Sequence, residues 1–91
     1  MKKRFKITAQ EGIHARPAAL LVSSAASCRS SMELSFNGKS VSLKSILSVM
    51  TLSIPVNSTI TISADGDDAA EALEKLAEVI LSHGIGELCE S

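Results

Sequence analysis

The sequence predicts an α+β two-layer sandwich, with helices laid on one face of a small antiparallel sheet. Three observations carry that prediction. Alternating apolar and polar residues recur at Phe5–Thr8, Met32–Phe36, Ser40–Leu43 and Thr59–Ala64, which is the period of half-buried strands. Apolar residues at helical spacing fill the stretches between them. Asn37-Gly38 stands between two of the alternating runs, and this pair marks a tight hairpin because both turn positions take positive φ.

The elements follow in order. Phe5 and Ile7 alternate with Lys6 and Thr8 in a first strand, which Gln10-Glu11-Gly12 breaks. Pro17 fits the first turn of a helix, where its missing N–H costs nothing. Ala18, Leu21, Val22 and Ala25 give that helix one apolar face. Met32, Leu34 and Phe36 then open the hairpin. Ser45 precedes a short apolar helix over Ile46–Leu52 that its hydroxyl can cap. Pro55 and Asn57 mark the exit turn. Ile60, Ile62 and Ala64 form a fourth strand, and Asp65-Gly66-Asp67 a turn. Asp68 and Glu71 have the spacing of a capping box. Ala69, Leu73, Leu76, Ala77 and Ile80 make a helical stripe, Glu71 and Lys75 a supporting i,i+4 pair, and Gly84 a helix-ending C′ residue. The order is β-α-β-β-α-β-α.

Composition narrows the function. With 91 residues, a single domain over 1–91 is expected. Little interior remains for an enclosed substrate cavity, so chemistry should sit where another protein can reach it. Aromatic residues make up 2% and the net charge is −1, which argues against nucleic-acid binding by base stacking or by charge. The basic cluster Lys2, Lys3, Arg4, Lys6 reads as a solvated strand. No apolar run nears the ~20 residues of a membrane span, and no apolar stretch follows the basic start as a secretory signal requires. Cys28 and Cys89 match no metal or redox spacing; two isolated thiols fit a reducing cytoplasm. Cys28 is expected near a helix end, Cys89 in a frayed tail. His14, His83 and the cysteines share no ligand spacing, so neither metal nor cofactor is expected.

The informative segment is Gly12-Ile13-His14-Ala15-Arg16-Pro17-Ala18. Gly12 permits a sharp turn. His14 falls at or just before a helix N-terminus, where free N–H groups and the helix dipole attract anions. The same positive end favours the neutral, nucleophilic imidazole. Arg16 offers a fork of donors suited to phosphate oxygens. Phosphoryl transfer needs mainly position and charge stabilisation, and these residues can supply both. Taken alone they also fit a plain helix cap beside a surface arginine. His83, expected in the last turn of a helix, reads as structural.

GIHARPAALLV resembles the active-site segment of the HPr phosphocarrier family. NGKSVSLKSILSVMTLSI resembles the region around that family's regulatory serine, and TITISADGDDAAEALEKL its last strand and final helix. The likeness runs over nearly the whole chain in one register. It implies an open-faced β-sandwich, a four-stranded antiparallel sheet of order 1-4-2-3 covered on one face by three helices. It implies that His14 accepts a phosphoryl group on Nδ1 from phosphorylated Enzyme I and passes it to IIA components of sugar permeases. Phosphoenolpyruvate is the first donor. Arg16 would steady the phosphate, Pro17 fix the helix start, and Ala15 and Ala18 keep the approach open. Ser45 would be the site of HPr kinase/phosphorylase, favouring a catabolite control transcription regulator over Enzyme I. Leu20, Ile46, Leu47 and Met50 would form the docking patch, with Leu47 facing outward. A cytoplasmic monomer is implied.

The pattern also departs from the family. Ser48 and Ser53 stand where glycine is expected, and Pro55-Val56-Asn57 replaces a glycine-ended turn. Asn57 can adopt the left-handed conformation that such a turn needs. Other readings are a nitrogen-branch phosphocarrier paralogue, a regulatory homologue working through the serine alone, and a passive binding domain using the apolar patch. His14 weighs against the second. The Gly12–Pro17 segment has no role in the third.

Overall fold

The computed structural model describes residues 1–89. Alternation makes the strands: β1 (Lys2–Ile7), β2 (Ser31–Phe36), β3 (Lys39–Ser42) and β4 (Thr59–Asp65). Helical spacing makes α1 (Ala15–Ala26) and α3 (Ala69–Ser82), while α2 (Ile46–Met50) is a short helix. A fifth strand, β5 (Gly86–Leu88), completes the sheet in the order β3-β2-β4-β1-β5. Every neighbouring pair is antiparallel. The expected order 1-4-2-3 is present, with one more strand on the β1 edge.

Phe5, Ile7, Met32, Leu34, Ile60 and Ile62 point to one face and are buried. Ala18, Leu21 and Ala25 of α1, Val49 of α2, and Ala72, Leu73, Leu76 and Ile80 of α3 close over them. The opposite face is polar: Lys6 lies across from Thr59 and from Glu87, and Arg4 across from Thr61. Asn37 and Gly38 turn the β2–β3 hairpin with φ of 52° and 82°, the two positive values expected of the pair.

Helix ends depart from the expected pattern. Asp68 is the N-cap residue of α3, yet its side chain makes no cap bond. Its carboxylate instead accepts from the Arg29 amide at 2.9 Å, the Ser30 amide at 2.8 Å and the Ser30 hydroxyl. The capping box is therefore not formed, because the turn before β2 takes the carboxylate. The Ser30 hydroxyl, then the Arg29 amide, hold Asp68 down to about 2 from an ordinary 3.8. Lys75 likewise donates to the Ser27 hydroxyl of the α1 exit turn and forms no ion pair with Glu71 among the described residues.

The end of α3 is a Schellman motif: the Ile85 amide donates to Ile80 O at 3.0 Å and the Gly84 amide to Leu81 O at 3.4 Å. Burial of Ile85 then directs the chain back to β1. Cys89 is not frayed, since its amide donates to Arg4 O at 2.9 Å. Cys28 does lie just past α1, half-buried with a free thiol. No helix among the described residues is long and apolar enough to cross a membrane.

Candidate functional site at the start of the first helix

The loop between β1 and α1 is held from both sides. The Gly12 amide donates to Ala9 O at 2.9 Å, and the Ile13 amide to Ile54 O at 2.9 Å. Gly12 has φ of 69°, and a Cβ there would lie 2.1 Å from Ile54 O. Only glycine lets the loop approach the Ile54 backbone this closely. Ile13 is buried beside it, so the residue before His14 is anchored in the core.

His14 is the N-cap residue of α1, with extended backbone. Its carbonyl accepts from the Ala18 amide at 3.0 Å, but its imidazole makes no capping bond. The ring is free for other work. It is 45% exposed, and Nε2 lies 3.9 Å from Glu11 Oε1, an ion pair only when the imidazole is protonated. Nδ1 has no hydrogen-bond partner among the described residues. The amides of Ala15 and Arg16 occupy the first turn and lack an intrahelical acceptor; Pro17 has none to offer. Arg16 is exposed and makes no ion pair among the described residues.

His14 and Arg16 share one open depression with Glu11, Ala15, Pro17, Leu20 and His83. A second depression begins on the other side of His14 and reaches Met50, Ser53, Ile54 and Pro55. The histidine thus stands between α3's end and α2's exit. On α2, Leu47 is 73% exposed, with Ile46 and Met50 also at the surface and Val49 buried.

The loop geometry bears on family membership. A family model described as "PTS HPr component phosphorylation site" matches residues 1–82. The chain belongs to the HPr phosphocarrier family. The histidine-containing phosphocarrier protein of a Mycoplasma is 35% identical, with a TM-score of 0.92 over 94% of this chain and 98% of that one. Phosphocarrier protein HPr from Bacillus anthracis is 42% identical, with a TM-score of 0.80 over 87% and 94%. Crh, the catabolite repression protein of Bacillus subtilis, is 38% identical, with a TM-score of 0.72 over 88% and 92%. That Crh structure is a domain-swapped dimer.

Against the HPr pattern, the residues singled out in the sequence separate into three places. His14, Ala15, Arg16, Pro17 and Leu20 line the first depression. Ala18 does not: its side chain is buried and its amide is committed to His14 O. Ser45 lines neither depression. It caps α2, its hydroxyl accepting from the Ser48 amide at 3.3 Å. Ser53, where the family resemblance led to an expectation of glycine, has φ of 50°, and Asn57 has 71°.

Three residues have contacts that the sequence reading did not give them. Glu11 reaches His14 from three positions upstream, a spacing that was legible. Lys44, beside Ser45, donates from Nζ to Ala25 O at 2.6 Å and Cys28 O at 2.8 Å. It closes the C-terminus of α1, whose own last turn carries no basic residue. His83 is the C-cap residue of α3 and lines the depression with His14. No local signal marks Lys44 for its place, and His83, expected at the end of α3 and found there, carries no local mark of its nearness to His14.

Proposed function

We propose that this chain carries a phosphoryl group on His14, taken from phosphorylated Enzyme I and passed to IIA components of sugar permeases in the cytoplasm. The observation that carries the reading is the half-exposed, non-capping imidazole at the α1 N-terminus, sharing one depression with a guanidinium that has no ion pair among the described residues. Nε2 faces the Glu11 carboxylate, which repels a phosphoryl anion, so Nδ1 is the acceptor. In the transfer, the Nδ1 lone pair forms the new N–P bond as the bond from phosphorus to the donor's carrier atom breaks. The released pair stays on the donor, and the His14 ring keeps its proton on Nε2. Glu11 then faces the proton of the phosphorylated His14 ring. Arg16 and the Ala15 and Arg16 amides meet the phosphoryl oxygens.

Docking falls to the apolar surface beside the histidine: Leu20 at the depression, and Ile46, Leu47 and Met50 on α2. Ser45 is the regulatory site for HPr kinase/phosphorylase. A dianion is tolerated at a helix start. Next to Leu47 it repels acidic partner surfaces and attracts basic ones, disfavouring Enzyme I and favouring a catabolite control transcription regulator. The free histidine distinguishes this reading from a homologue that works through the serine alone.

Incubation with phosphoenolpyruvate and Enzyme I tests the carrier. The expected product is an acid-labile, base-stable adduct that His14→Ala abolishes. A wild-type chain left unmodified by an Enzyme I that is active on another HPr refutes it. With ATP and the kinase, an acid-stable adduct lost in Ser45→Ala is expected, and label on another serine refutes that part.

A further inference from the structure

We propose that His83 is a second phosphate-facing group of the His14 site, a positioning residue that supplies one more positive charge to the phosphoryl group when protonated. The inference rests on the carrier reading and deepens it.

Two independent observations place His83 there. The first is the shared depression, which His14 and Arg16 enter from the start of α1 and His83 from the end of α3. The second is the backbone linking the two rims. Ile85 O accepts from the Thr8 amide at 3.0 Å and the Ala9 amide at 3.2 Å, and Ala9 O accepts from Gly12. The turn holding His83 is therefore hydrogen-bonded directly to the loop carrying His14. The Schellman bonds at Gly84 and Ile85 fix the other side of that turn.

Charge balance assigns the role. The titratable side chains lining the depression are Glu11, His14, Arg16 and His83. The formal charges of Arg16 and Glu11 sum to zero, although the two side chains are not paired with each other. A phosphoryl group brings a further charge of about −1.5 to −2, and the remaining lining group able to answer it is His83. The cation of α3, Lys75, is committed to Ser27. Glu87 of β5 pairs in register with Lys6 on the polar face of the sheet.

The test compares wild type, His83→Asn and His83→Arg. Each is equilibrated with Enzyme I and phosphoenolpyruvate between about pH 5 and pH 8, the interval in which imidazoles change charge. The readout is the ratio of phosphorylated to free chain relative to phosphorylated to free Enzyme I. At low pH wild type is expected to exceed His83→Asn by about two- to fivefold, the size of one exposed charge pair. At high pH those two coincide, and His83→Arg keeps the higher ratio throughout. A merely structural His83 shifts the ratio equally at every pH or not at all. Three coincident profiles in chains that do become phosphorylated overturn the His83 role alone. Absence of phosphorylation in wild type overturns the carrier reading and this inference with it.

Discussion

Replacing Gly12 by alanine tests how the His14 loop is held, and Gly38→Ala provides the internal control. Both glycines have positive φ, 69° and 82°, so each alanine pays about 1–2 kcal/mol for the left-handed backbone. Each recovers about 0.4–1 kcal/mol from a less flexible unfolded chain. Nothing lies within 4 Å of the Cβ added at Gly38, whereas at Gly12 it meets Ile54 O at 2.1 Å and Pro55 Cα at 2.9 Å. The loop must retreat, breaking the 2.9 Å bond from the Ile13 amide to Ile54 O. Both residues are buried, so the orphaned groups cost about 1–3 kcal/mol more. The net loss is about 1–5 kcal/mol, centred near 3, for Gly12→Ala and about 1 kcal/mol for Gly38→Ala. A domain of this size has about 5–14 kcal/mol in total. At about 4–8 °C per kcal/mol, a central loss of about 3 kcal/mol lowers Tm by about 12–24 °C in Gly12→Ala, against about 4–8 °C in Gly38→Ala. Thermal and urea unfolding followed by circular dichroism measure both. Equal losses in the two variants would refute the claim that the Ile54 contact, and not backbone freedom alone, requires glycine at position 12.

Three further outcomes are expected. Asp68 is held at about 2 against an ordinary 3.8, so its contribution to stability is complete above the higher value and is lost as pH falls through the lower one. The gap in urea midpoint between wild type and Asp68→Asn should therefore narrow between about pH 4 and pH 2, and a gap constant over that interval would show that the carboxylate charge is not what the Ser30 turn binds. Ser53→Gly relieves a φ of 50° at an exposed position and should raise stability by up to about 1 kcal/mol, read as a higher urea midpoint at unchanged slope; a lower midpoint counts against strain at that turn. Leu47→Asp should change stability by less than about 0.5 kcal/mol, since the side chain is 73% exposed. The same variant should slow phosphorylation by Enzyme I, and an unchanged rate removes Leu47 from the docking surface.

Local sequence made most of the fold and the centre of the candidate site legible. The alternating runs placed four strands, the 3.6-residue stripes placed α1 and α3, and Ser45 marked the start of α2. Gly12, His14, Arg16 and Pro17 lie within six consecutive positions, so one short segment shows the site. The fifth strand escaped because three residues, one a glycine, carry no alternation to read.

Sequence alone determined the periodicities, the hairpin and the histidine at a helix start, because each depends on residues within a few positions of one another. Tertiary structure decided which partner each polar group found. Asp68 was free to cap its own helix but met amides 38 and 39 residues away; Lys44 reached back 16 and 19 residues to close α1; and His83 came to the same depression as His14 from the far end of the chain. Such choices follow from packing. Once the apolar faces of α1 and α3 are buried on one sheet, their ends are brought together, and a polar side chain takes whichever donor or acceptor the packed core leaves within reach.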